Sequence, residues 1–173
     1  RAWAQVSLDA IASNMQNIRR MTRPEAAVMA VVKADAYGHG FLQVAKTLLE
    51  NGADAFAVAM LDEAKQLRSR GIDVPVLILG NTNRDLCEDL IDYDVMPTVF
   101  SYDMAKALSN VAVKKNKDAK LHIKLDTGMS RIGFLCDERH APETIQEIKR
   151  IAALPNIEID GIFTHLSCAD EDE

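Results

Sequence analysis

Short apolar runs alternate with amphipathic segments along the whole chain, and this rhythm limits the possible fold more than any other feature. Several runs are rich in Val and Ile, which is typical of strands buried on both faces of a parallel sheet. We predict strands at six of the runs, residues 26–32, 54–59, 76–79, 95–100, 121–125 and 157–165. A further strand over residues 2–6 would precede them.

The segments between the runs carry the signals of helix ends. A first helix is predicted from Ser7, Ser101 is placed as the N-cap of another, and Pro142 suits the first position of a later helix. Residues 61–70 have carboxylates in the first turn and arginines in the last, and Gly71 follows as a C-terminal cap. A βα alternation of this kind favours a doubly wound sheet or a (β/α)₈ barrel, and periodicity alone does not separate the two.

Composition excludes several classes of function. The formal net charge is -6 and aromatic residues make up 5% of the chain, which argues against a nucleic-acid surface. The longest apolar run is far too short to span a bilayer, so no membrane partner is expected. The three cysteines are widely spaced, which predicts neither a disulfide framework nor a metal site and fits a reducing cytoplasm.

Residues 31–40, VVKADAYGHG, place Lys33 where an apolar strand ends and a turn containing Gly38 and Gly40 begins. Apolar surroundings disfavour the charged form of a lysine and leave more free amine for attack on an aldehyde. The alternative is a lysine without a catalytic role, which marks the strand end and extends to water. From Lys33 alone this alternative is favoured.

Two later segments also put polar groups at strand ends. Residues 122–134, HIKLDTGMSRIGF, contain Lys124 and Arg131, and residues 161–170, GIFTHLSCAD, contain His165. A guanidinium suits a carboxylate because two parallel hydrogen bonds can form. Each residue also has an interpretation without a functional role. Lys124 could be a strand lysine facing solvent, Arg131 a surface arginine and His165 a core histidine.

Together the three segments resemble those of alanine racemases, which use pyridoxal 5'-phosphate (PLP). The resemblance implies that Lys33 forms the Schiff base with PLP and that the Tyr37 hydroxyl contacts the cofactor phosphate. Arg131 is implied to bind the phenolic oxygen of PLP and the substrate carboxylate, and His165 to pack against the pyridine ring. Lys124 matches a lysine that is often carbamylated in this family.

The resemblance also implies a fold and a domain. It indicates an α/β chain that forms part of a (β/α)₈ TIM-type barrel of the fold-type III PLP enzymes, with about six of the eight βα units. Residues 1–173 are then the incomplete N-terminal PLP-binding domain. The last two strands and the C-terminal β domain, whose tyrosine is the second base, are expected outside them, so these residues alone are expected not to racemise alanine.

The implied function is the interconversion of L-alanine and D-alanine for peptidoglycan synthesis in the bacterial cytoplasm, by a homodimer. Unpaired sheet edges of an open barrel would also promote association. The alternatives are another amino-acid racemase, a PLP-homeostasis protein on the same barrel, or a fragment without catalysis.

The end of the chain adds two smaller expectations. Cys168 stands where the family more usually has a small apolar residue, and we expect a buried, inert thiol. Residues 170–173, DEDE, are all acidic and are expected to be solvated or to begin a helix.

Overall fold

A computed structural model describes residues 2–169. Their internal contacts divide the chain into two compact units, with the boundary between Leu79 and Gly80. Both units are built from parallel strands joined through helices, as the apolar rhythm predicted.

The first unit contains three paired strands and four helical segments. In chain order these are α1 (Leu8–Met21), β1 (Met29–Val31), α2 (Lys33–Gly38), α3 (Phe41–Glu50), β2 (Ala55–Val58), α4 (Leu61–Ser69) and β3 (Val76–Ile78). Strand β2 lies between β1 and β3, and both pairings are parallel. Every residue of β2 and β3 is buried, which explains their uninterrupted apolar sequence.

The second unit is arranged around one long strand. Its elements are a 3₁₀ helix (Arg84–Leu86), α5 (Cys87–Asp92), β4 (Met96–Val99), α6 (Tyr102–Lys115), β5 (Ala119–Asp126), β6 (Phe134–Leu135), α7 (Ala141–Ala152) and β7 (Ile157–Phe163). Strand β5 pairs in parallel with β4, β6 and β7. The three pairings place the carboxyl ends of these strands at one edge.

The predicted helix ends are present, with one shift of a single residue. The hydroxyls of Ser7 and Ser101 accept hydrogen bonds from the first turns of α1 and α6. Pro142 is the second residue of α7, one position later than predicted. Gly71 follows α4 with a φ of 74°, a left-handed conformation that glycine adopts without steric penalty.

Three strand predictions need correction. Residues 2–6 form no strand, and Trp3 is exposed. Strand β7 ends at Phe163, so His165 lies two residues beyond it. Strand β6 was not predicted, because two residues are too few to show an apolar alternation.

The three cysteines are all free thiols. Cys87 is buried, and its burial raises the thiol pKa. The expectation of a buried Cys168 is wrong, because this residue is exposed next to Ser167.

None of the helices in residues 2–169 is long and apolar enough to cross a bilayer. The acidic residues 170–173 lie outside the described part.

Candidate active site

Lys33 is at the carboxyl end of β1, immediately after the buried Val32. The Val32 N–H donates to Ala57 O over 2.9 Å, so the pairing with β2 extends up to the lysine. The Lys33 side chain is half-buried, and its Nζ lies 5.8 Å from the centre of the Tyr37 ring. The structure therefore brings together the two residues of this segment that the sequence singled out.

The turn after Lys33 has an unusual backbone. Four consecutive residues without glycine, 34–37, have φ between 52° and 56° and form a left-handed helical turn. A left-handed conformation costs about 1–2 kcal/mol per such residue, and strain of this kind is concentrated at functional sites. The sequence predicted a turn that depends on Gly38 and Gly40. Both have positive φ, but the left-handed segment begins four residues earlier, at Ala34.

Hydrogen bonds hold this turn to the start of α3. The Asp35 carboxylate accepts from the Phe41 N–H at 2.7 Å, and the Asp35 carbonyl accepts from the Gly40 N–H at 3.1 Å. The ring Nδ1 of His39 lies 2.9 Å from the carbonyl oxygen of Ala36. His39 thus belongs to the turn itself. Tyr37 remains 59% exposed.

Lys124 occupies β5 in the second unit and is only 3% exposed. The interpretation of a solvent-facing strand lysine is therefore wrong. Its Nζ donates to Leu125 O over 2.6 Å and lies 5.4 Å from the Phe163 ring centre. Burial is the main cause that lowers the pKa of Lys124, and the Arg131 charge lowers it further, against an opposing effect of Asp126.

Asp126 organises the loop that carries Arg131, a role that the sequence analysis missed. Its Oδ1 accepts from the backbone N–H groups of Gly128 and Ser130, both at 3.0 Å. Gly133 closes the loop so tightly that a Cβ there would lie 2.6 Å from the Asp126 nitrogen. The Arg131 side chain is exposed on this loop. The only local signal was an aspartate at the strand end followed by two glycines in the same segment.

The same contacts predict a pH dependence of stability. The backbone donors of Ser130 and Gly128 lower the pKa of Asp126 below its usual value. A depressed native pKa means that the charge stabilises the fold above the unfolded pKa, about 3.9. This contribution is lost as the pH falls through the native pKa. In the full-length protein, Asp126→Asn should lower the Tm near neutral pH, and the difference from the parent should shrink in acid. A Tm difference that stays constant with pH would contradict the role of the charge.

His165 follows β7 and its side chain is exposed. The preceding Thr164 attaches this end of β7 to β5, since its hydroxyl donates to Leu125 O at 3.0 Å and lies 2.8 Å from the Thr127 hydroxyl. The Leu125 carbonyl oxygen thus accepts hydrogen bonds from both Thr164 and Lys124. Within the second unit, Lys124, the Arg131 loop and the segment before His165 therefore belong to one end of the β5 pairings.

Comparison with known proteins gives a consistent result. Residues 6–173 match the family described as "Alanine racemase, N-terminal domain". The chain is 51% identical over 171 residues to an alanine racemase of Clostridium tetani, covering 99% of this chain and 43% of that protein. The chain thus spans less than half the length of this relative.

Solved structures agree with the sequence comparison. An alanine racemase of Clostridium difficile in complex with cycloserine matches with a TM-score of 0.92 and 39% identity, over 98% of this chain and 45% of that one. A histidine racemase of Leuconostoc mesenteroides matches with a TM-score of 0.84 and 29% identity, over 95% and 43% of the respective chains. These matches confirm the predicted α/β fold class, that of an incomplete TIM-type barrel, and the chain belongs to the alanine racemase family as its N-terminal domain.

Proposed function

We propose that this chain is the PLP-binding part of an enzyme that interconverts L-alanine and D-alanine. The observation that carries the proposal is the placement of Lys33, half-buried at the end of β1 with its Nζ 5.8 Å from the Tyr37 ring centre. The names of its relatives support alanine as the substrate. The resemblance adds a homodimer in the cytoplasm that supplies D-alanine for peptidoglycan.

The residues of the lysine turn fit PLP in their chemistry. An aldehyde needs a primary amine, and Lys33 supplies one in partly apolar surroundings. A phosphate needs hydrogen-bond donors, and the exposed Tyr37 supplies a hydroxyl. When bound, PLP acts as an electron sink for negative charge at the α-carbon of an amino acid.

Each remaining residue has a role defined by its own chemistry. The Lys33 amine takes and returns the α-proton on the face of the substrate that handles D-alanine. Arg131 would bind the substrate carboxylate and the phenolic oxygen of the cofactor, and His165 would pack against the pyridine ring. Racemisation requires a second base on the opposite face. We assign that base to a part of the full-length enzyme outside the matched residues, so residues 1–173 alone would not invert alanine.

Lys124 is the proposed site of a carbamate. The neutral amine adds to CO₂ and releases one proton, and burial, which lowers the pKa of Lys124, increases the fraction of neutral amine. The product is an anion next to the Arg131 loop, where an unmodified lysine would repel the guanidinium. A carbamate would therefore orient Arg131 by attraction.

Three other functions compete with this one. The likeness to a histidine racemase supports a different amino-acid substrate on the same barrel. A PLP-homeostasis protein would bind PLP without racemising alanine, and a fragment without catalysis would not bind PLP. The absorbance spectrum after addition of PLP distinguishes the last of these, and a racemisation assay distinguishes the others.

The experiment that tests the proposal is reduction of the full-length protein with borohydride in the presence of PLP, followed by peptide mapping. We expect the label on Lys33. Lys46, exposed on α3, serves as the internal control for nonspecific reaction. Label on Lys46 or Lys124, with none on Lys33, would show that the assignment is wrong.

A further inference from the structure

Glu63 lies in the first turn of α4, but its carboxylate contacts the turn that follows Lys33. One oxygen, Oε1, accepts from the Ala34 N–H at 2.6 Å. The other, Oε2, accepts from the Ala59 N–H at 2.6 Å and from the Met60 N–H at 3.3 Å. A single side chain therefore connects the carboxyl end of β2 with the residue directly after Lys33.

The position of these contacts gives them their importance. Ala34 is the first residue of the left-handed turn, so its N–H lies where the regular strand conformation has just ended. Hydrogen bonds from N–H groups to a carboxylate are roughly twice as strong as those between neutral groups. The Glu63 bond thus offsets part of the strain at the point where the chain leaves β1 with Lys33.

Glu63 is itself held by rigid structure. Leu61, Ala64 and Leu67 are buried and pack α4 into the first unit. A carboxylate in the first turn is further stabilised by the partial positive charge of the helix N-terminus. The carboxylate therefore fixes the start of the lysine turn relative to α4 and the end of β2.

We propose that Glu63 is a positioning residue for Lys33, which fixes the left-handed turn so that the amine is presented for PLP attachment. This inference rests on the proposed role of Lys33 as the PLP lysine. Glu63 acts through the backbone of Ala34 and requires no contact with the cofactor. In the sequence, Glu63 is only one of the carboxylates in the first turn of its helix.

The main rival is that Glu63 merely stabilises the start of α4. Asp62 provides a matched control, because it is an exposed carboxylate in the same helical turn. Asp62→Ala and Glu63→Ala remove the same charge from the helix N-terminus, but only Glu63→Ala also removes the hydrogen bonds to Ala34, Ala59 and Met60. Glu63→Gln keeps the length of the side chain but has one accepting oxygen, so either Ala34 or Ala59 faces an amide NH₂.

The test uses the full-length protein and two measurements. Without PLP, amide hydrogen exchange of peptides over residues 33–41 should be faster in Glu63→Ala and Glu63→Gln than in Asp62→Ala. With PLP and borohydride, labelling of Lys33 should be slower in the Glu63 variants by roughly 10- to 100-fold, the range for a lost charge-assisted hydrogen bond. Labelling of Lys46 is the internal standard.

The outcomes separate the two proposals. A parent protein that carries no label on Lys33 overturns the proposed function, and with it the role of Glu63. A parent labelled on Lys33, with Glu63 and Asp62 variants equal in both measurements, overturns the role of Glu63 alone. If Glu63→Ala does not fold, Glu63→Gln decides the question, because it preserves the size of the side chain.

Discussion

Replacement of Lys33 by alanine in the full-length protein should abolish both covalent attachment of PLP and racemisation of alanine. The change removes the only amine placed beside Tyr37 at the end of β1 in the described residues. The same amine is proposed to move the α-proton on one face of the substrate. Loss of a positioned proton-transfer group lowers rates by about 10²- to 10⁴-fold. Loss of the attachment point adds to this, so turnover should fall below detection.

The measurement is the rate of interconversion of D- and L-alanine, followed with the absorbance of bound PLP. Lys46→Ala is the matched control, since it removes an exposed lysine from α3 in the same unit. It should leave both measurements at the level of the parent. A Lys33→Ala variant that racemises alanine at a tenth of the parent rate or faster would contradict the proposed role.

The Arg131→Lys variant is expected to lower kcat/KM for alanine by about 10- to 100-fold, because a lysine keeps the charge but cannot form two parallel hydrogen bonds to a carboxylate. The exposed side chain of Arg131 is on a loop fixed by Asp126 and Gly133. A shift of the backbone therefore cannot restore the lost contact between the lysine and the carboxylate. Attachment of PLP to Lys33 should persist. Steady-state kinetics and borohydride labelling of the same preparation test both statements.

Arg139→Lys serves as the control for this prediction. Arg139 is exposed eight residues further along the chain, and its backbone N–H donates to Asp137 in a local turn. The exchange should leave kcat/KM unchanged. If Arg131→Lys turned over both enantiomers like the parent, the carboxylate-binding role would be wrong, even if Lys33 carried the label.

The lysine turn explains how strain and chemistry are connected in this protein. A left-handed turn of four residues without glycine is unfavourable by itself. Here it is stabilised by Glu63 at its first residue and by the Asp35 carboxylate toward α3. Strained backbone persists only where surrounding contacts over-determine it. Changes at Glu63 or Asp35 should therefore affect the position of Lys33 without altering its side chain.

The prediction of secondary structure succeeded where a local physical cause was present. Buried strands such as β2 and β3 are uninterrupted apolar runs, and the caps at Ser7 and Ser101 satisfy N–H groups of the adjacent turn. Strand β6 could not be predicted in this way, because its pairing with the end of β5 depends on the tight Gly133 loop and not on an apolar pattern in its own two residues. Strand β7 was predicted to reach His165, but it ends at its last paired residue, Phe163. The next two residues, Thr164 and His165, are polar.

The βα order, the helix ends and the three segments that contain Lys33, Arg131 and His165 could be predicted from the sequence, because each depends on residues close in the chain. The burial of Lys124 and the hydrogen bond from Ala34 to Glu63 became visible only in the folded chain. The bond from Glu63 joins residues 29 positions apart, and the burial of Lys124 follows from what packs on β5. Contacts between distant residues leave no periodic signal, so neither the conformation after Lys33 nor the state of the Lys124 amine follows from local pattern.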